Sequence, residues 1–263
     1  WNEALAKKNM DAINAFSQTV GQKVDLMIVP SAGWAVQDRI DGISDPYMDR
    51  TLIEALYAMA ADQVDTMDIL SIYAEDDLQK LYYKTDHHWT SYGAYKAYEA
   101  YAQKKGVSYR PAEEFSVQTV PGFRGSTYSR SGLWLTEGEE LQMWQGSDSL
   151  VVTNAEASQE HAGVFYPERL EEADKYTVFL DGNHSLVRVE NPDAEGKLLV
   201  IRDSYSNCLG GFLAESYGTV VLADLRYYKD SLSELCESEK FDHILVCYSL
   251  GNFLTDTNLV WLR

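Results

Sequence analysis

Cysteine is scarce. The 263 residues hold three, Cys208, Cys236 and Cys247, all late in the chain. An odd, clustered set excludes a disulfide framework and leaves them as small buried apolar groups. Positive charge is scarce too: 22 Lys and Arg stand against 41 Asp and Glu, a formal charge of −19. Such a surface repels phosphate backbones, which argues against nucleic acid and anionic bilayers as partners. No apolar run reaches transmembrane length and no signal peptide is present. The chain opens at Trp1 inside a helical pattern, so an anchoring segment ahead of it is expected. Hydrophobic content of 45% and charged content of 24% are ordinary for a globular protein. The length suits one α/β domain with a large insertion. Aromatic residues are plentiful, with 18 Tyr and 6 Trp. They allow sugar stacking, although core and strand filling accounts for most of them.

Histidine is also rare, with five residues, and two of them fall in Lys84-Thr85-Asp86-His87-His88-Trp89-Thr90. Residues two apart do not meet on a helix, so Asp86 and His88 can act together only on irregular backbone. Thr90 or Ser91 can cap the helix that follows. A carboxylate that orients a histidine in this way is the base half of a Ser–His–Asp device.

The chain in order predicts a helix over 2–20 ended by Gly21 and a buried strand over 23–30 closed by Pro30. A polar rim loop over 31–46, a helix over 50–61 and a second strand over 64–72 follow. Tyr92, Tyr95, Tyr98 and Tyr101 lie on a helix ended by Gly106. From about 107 to 196 the pattern turns to short alternating stretches broken by glycine, which reads as a β-rich insertion. Strands are then expected at 197–201, 219–224 and 243–247, with helices between them over 208–216 and 231–239. The fold class is therefore α/β: a parallel sheet of about five strands flanked by helices, with core segments 1–106 and 197–263.

Ser204 follows the apolar strand 197–201 and precedes a helix, which puts it at the carboxyl end of a parallel strand, where sites of such sheets lie. It is the candidate nucleophile, with Asp203 shaping the turn. Backbone N–H groups of Ser204 and Tyr205, together with the Asn252 amide, are the candidate oxyanion donors.

Asp86-His87-His88-Trp89-Thr90 resembles the signature of the DHHW family, related to alginate O-acetylation proteins within the SGNH hydrolase superfamily. Arg202-Asp203-Ser204-Tyr205-Ser206 is similar to the serine block of those proteins. Arg202 stands where many relatives carry glycine, and no glycine matches the usual second block, where Leu225-Arg226-Tyr227-Tyr228 occurs. Ordinary members place the serine block first and the Asp and His last. Here the order is reversed, which implies a circularly permuted sheet. The resemblance implies serine-dependent acyl transfer through Ser204, His88 and Asp86, as O-acetyltransferase or acetylesterase. It further implies an extracellular polysaccharide or cell-wall glycan as substrate, a membrane-bound acyltransferase as acyl donor, and no cofactor.

Two other readings compete. Asp86, His87 and His88 with Glu75, Asp76 or Asp77 would form a metal site, but neighbouring side chains diverge and the spacing matches no ligand pattern. A catalytically silent glycan-binding or scaffold protein on the same fold is the other. Asn183, His184, Arg124, Arg226 and Trp89 are weaker substrate-binding candidates, with loop packing as the alternative for Trp89. His87 reads as a packing neighbour of the base, and His161 and His243 as structural.

Overall fold

The computed structural model describes residues 2–37, 47–132, 134–157 and 159–262. Its ten strands are β1 (Val24–Val29), β2 (Val64–Met67), β3 (Ser116–Phe123), β4 (Glu139–Gln145) and β5 (Val151–Asn154), then β6 (His161–Ala162), β7 (Leu186–Glu190), β8 (Lys197–Arg202), β9 (Thr219–Ala223) and β10 (His243–Ser249). Eight form one sheet in the order β2-β1-β10-β8-β9-β7-β5-β6, and β3 and β4 form a separate ribbon. The five strands from β2 to β9 are parallel, and β7, β5 and β6 continue the sheet antiparallel.

The α/β class follows from the apolar runs. Every residue of β1 is buried, as a parallel strand covered on both faces requires. Helices Leu232–Glu239 and Leu250–Thr255 both pack on Glu3–Val20, and Ile69–Ala74 and Ser206–Leu213 both pack on Ser91–Lys105. Helix Glu3–Val20 begins at Asn2, whose side chain accepts from the Leu5 N–H, and ends at Gly21 with φ +66°. Thr90 caps Ser91–Lys105 by accepting from the Gly93 N–H.

Two local expectations change. The apolar stretch 64–72 is half strand and half helix. Asp68 accepts from the Ser71 N–H and starts the helix Ile69–Ala74, so β2 stops at Met67. Residues 176–180, inside the stretch read as β-rich, begin as the 3-10 turn Lys175–Val178. The segment 107–196 also takes part in the sheet, because β7 pairs with β9 along its length. Of the rim loop expected at 31–46, residues 38–46 lie outside the described part, and Ala32–Val36 is a short helix capped by Ser31.

Counted from β8, the parallel strands run β9-β8-β10-β1-β2, that is 2-1-3-4-5. Chain direction across such a sheet reverses between the first and third strands, here β8 and β10. A crevice opens at the carboxyl ends of these two. Ser204 follows β8 and Asn252 follows β10.

Candidate active site

The loop 83–88 is closed by a bridge between Tyr82 and Trp89 and by a hydrogen bond from the Thr90 N–H to the Leu81 carbonyl. Trp89 is fully buried and donates its indole N–H to the Tyr205 carbonyl at 3.0 Å. The ring joins the histidine loop to the turn at Ser204 and Tyr205. Glu139 of β4 accepts from the N–H groups of Lys84 and Thr85 and from the Thr85 hydroxyl. The ribbon thus clamps the loop from outside.

The structure brings Asp86, His88 and Ser204 together across 116 residues of sequence. Asp86 Oδ1 lies 2.5 Å from His88 Nδ1, and His88 Nε2 lies 2.8 Å from Ser204 Oγ. An ionised carboxylate only accepts, so Nδ1 carries the proton and Nε2 is left to accept from the serine hydroxyl. Asp86 Oδ1 also takes the His88 N–H, and Oδ2 takes the Ser126 N–H at 2.7 Å. Burial alone would raise the Asp86 carboxyl, but the His88 hydrogen bond and charge, with the two N–H donors, hold it well below the usual carboxylate range. Gly125 makes this approach possible, because a Cβ there would sit 2.2 Å from Asp86 Oδ2.

Asp203 organises the other side. Its Oδ1 accepts from the Tyr205 N–H at 3.0 Å. Its Oδ2 accepts from the Ser249 N–H, the Ser249 hydroxyl and the Asn252 side-chain amide. The Tyr205 N–H is therefore committed within the turn. Among the described residues no backbone acceptor takes the Ser204 N–H. That group and the second amide hydrogen of Asn252 remain as donors. A cavity of about 590 Å³ lies here, lined by Asp86, His87, Tyr205, Ser249, Leu250 and Asn252 among others.

The secondary candidates separate from the site to different degrees. Arg202 is fully buried, and its Nη1 donates to Asn183 Oδ1 and Asn207 Oδ1, so its bulk lies against those amides while the serine keeps its bond to His88. Asn183 also accepts from Asn207, which makes it a brace behind the nucleophile helix. His184 has one ring nitrogen on Glu156 and the other on Asp181, both within the segment 107–196. Arg124 donates to the Thr136 carbonyl and lies over the Tyr128 ring. Arg226 pairs with Asp224, and with Asp203 and Asn252 it lines a polar cavity of about 250 Å³. His161 bonds the Gly163 carbonyl and His243 the Tyr217 hydroxyl.

His87 sits 3.8 Å from His88, ring to ring, and its Nδ1 bonds the Ser126 hydroxyl. Burial of its inner face and the neighbouring His88 push it down to about 4. Asp86, His87 and His88 offer donor atoms within 4.8 Å of one another. The best-placed of them already serve each other, Ser126 and Ser204, so a metal would have to displace the relay. Sequence reasoning missed Glu139, Gly125 and the Ser126 N–H. Arg124 had stood out as a substrate-binding candidate, whereas the contribution of its neighbours Gly125 and Ser126 at the site is backbone.

A family model described as DHHW protein matches residues 2–223. No curated protein matches the sequence. Among solved structures, a DHHW family protein from Eubacterium siraeum DSM 15702 superposes with a TM-score of 0.85 at 20% identity, over 97% of this chain and 88% of that one. Bacillus cereus PatB1 with a sulfonyl adduct gives 0.81 at 20%, over 98% and 91%. The O-acetyltransferase domain of Pseudomonas putida AlgJ gives 0.58 at 15%, over 99% and 87%.

Proposed function

The chain belongs to the DHHW protein family, and from that premise we propose that it transfers acyl groups, acetyl foremost, to or from hydroxyls of a polysaccharide or cell-wall glycan through Ser204. The observation that carries the reading is the 2.8 Å contact of His88 Nε2 with Ser204 Oγ, with Asp86 behind Nδ1. Ser204 Oγ attacks the ester carbonyl carbon as its proton passes to His88 Nε2. Asp86 stabilises the imidazolium that forms. The Ser204 N–H and the Asn252 amide face the developing oxyanion. The tetrahedral centre collapses, the leaving alcohol takes the proton from Nε2, and acyl-Ser204 remains. A glycan hydroxyl or water, deprotonated by His88, then accepts the acyl group and frees the serine.

The described name of the AlgJ domain, an O-acetyltransferase, supports acetyl as the group moved. The strand order 2-1-3-4-5 counted from β8 supports a circular permutation of an SGNH-type sheet, with the segment 107–196 joining the old termini. Among the described residues no helix is long and apolar enough to cross a membrane. An extracellular setting and a membrane-bound acyltransferase as donor complete the proposal.

A silent glycan-binding scaffold draws support from the committed Tyr205 N–H, which leaves fewer oxyanion donors. Hydrolysis of p-nitrophenyl acetate separates the readings. Ser204→Ala should abolish turnover, and phenylmethylsulfonyl fluoride should label the wild type on Ser204. Turnover unchanged in Ser204→Ala sinks the nucleophile assignment, and a wild type that neither turns over nor labels favours the scaffold.

A further inference from the structure

We infer that Tyr176 is a positioning residue for the base, a role that rests on the acyl-transfer reading above. Its ring lies flat on the His88 imidazole, with centroids 3.9 Å apart and planes 3° from parallel. Tyr176 comes from the 3-10 turn Lys175–Val178, far in sequence from both His88 and Ser204. It is itself held edge-on by Tyr83 and by a tilted Phe179 ring, with centroids 6.4 and 5.0 Å away.

The hydrogen bonds of His88 hold its two ring nitrogens but resist a tilt of the ring plane only weakly. Stacking restrains it. Tyr176 covers one face, while His87 and Tyr205, tilted by 38° and 54°, crowd the imidazole from their own directions. The face of an aromatic ring is also its negative part, so the stack favours the imidazolium over the neutral imidazole. That charge exists only once Ser204 has given up its proton. The interaction therefore strengthens toward the transition state, and its loss should lower kcat while leaving KM alone.

The hydroxyl of Tyr176 is buried and, among the described residues, has no hydrogen-bond partner. The ring alone therefore carries the role, and phenylalanine should fill it. With p-nitrophenyl acetate as substrate, Tyr176→Leu should lower kcat on the order of ten-fold, the scale of a desolvated cation–π contact, with KM within about two-fold. Tyr176→Phe should keep kcat within about three-fold. If Tyr176→Leu melts far below the wild type, Tyr176→Met supplies the same comparison in a more adaptable side chain.

Ser204-dependent turnover in the wild type with undiminished kcat in a folded leucine or methionine variant would overturn the positioning role alone. So would a phenylalanine variant as impaired as the leucine one, or a loss confined to KM. Absence of Ser204-dependent turnover in the wild type would overturn the acyl-transfer reading, and this role with it.

Discussion

Removing the Asp203 carboxylate should damage stability and activity together. Asp203 is 1% exposed and accepts four hydrogen bonds, from the Tyr205 N–H, the Ser249 N–H, the Ser249 hydroxyl and the Asn252 amide. In Asp203→Ala the hydroxyl can rotate and the half-buried amide can turn to water. The two backbone N–H groups can do neither, since the serine turn and the start of helix Leu250–Thr255 hold them. Each orphaned buried donor costs about 1–3 kcal/mol. Relief of the buried charge offsets part of the sum, so the variant should lose about 3 kcal/mol. In urea that is a midpoint lower by about 1 M at an m-value near 3 kcal/mol/M, with m unchanged. Asp203→Asn should recover part of this, because its amide oxygen can still accept the three donors on Oδ2 while its NH2 would face the Tyr205 N–H. Turnover of p-nitrophenyl acetate should fall about 100-fold, since the nucleophile turn and Asn252 lose their common support. A stability within 1 kcal/mol of the wild type, with activity within ten-fold, would refute the argument that one carboxylate ties β8 to β10 at the site.

Gly125→Ala should force Asp86 aside, because its Cβ would stand 2.2 Å from Oδ2, and turnover should drop at least about 30-fold in a protein that still folds. Arg202→Met should leave stability within about 1 kcal/mol or raise it, since Nε and Nη2 of the buried guanidinium have no partner among the described residues; chemical denaturation measures this. Stability should fall on acidification in two stages, read as melting temperature against pH. His87, pushed down to about 4, contributes stability that is whole above about pH 6.5 and is lost as the pH falls toward 4. Asp86, held well below the usual range, contributes stability present above about pH 4 and lost below it. His243, also lowered by burial, contributes in the same upper range, so His87→Gln should shrink the upper stage and leave the lower one.

Much of the site was legible because its parts are local. An apolar run ending at Arg202 puts Ser204 at the mouth of a parallel strand, and the two-residue spacing of Asp86 and His88 demands irregular backbone. Thr90, Gly21 and Gly106 mark helix ends by chemistry that acts within one turn. The stretch 64–72 misled for a local reason as well: one side chain, Asp68, caps a helix where hydrophobicity alone continues a strand.

Other features have no local signature. Pairing of β7 with β9, the reach of Glu139 to the histidine loop, the close pass of Gly125 by Asp86 and the stack of Tyr176 on His88 each join residues far apart in sequence. The Tyr205 N–H is an oxyanion candidate by position in the chain, and only the fold turns the Asp203 carboxylate toward it. By itself the sequence determined which residues are candidates for the chemistry and at which strand ends they stand, because periodicity, capping and strand-end placement act over a few residues. Only the tertiary structure decided which of those groups meet, which donors are already spent and what holds the imidazole in plane, because strand register and packing across the sheet settle contacts that no short stretch of sequence contains.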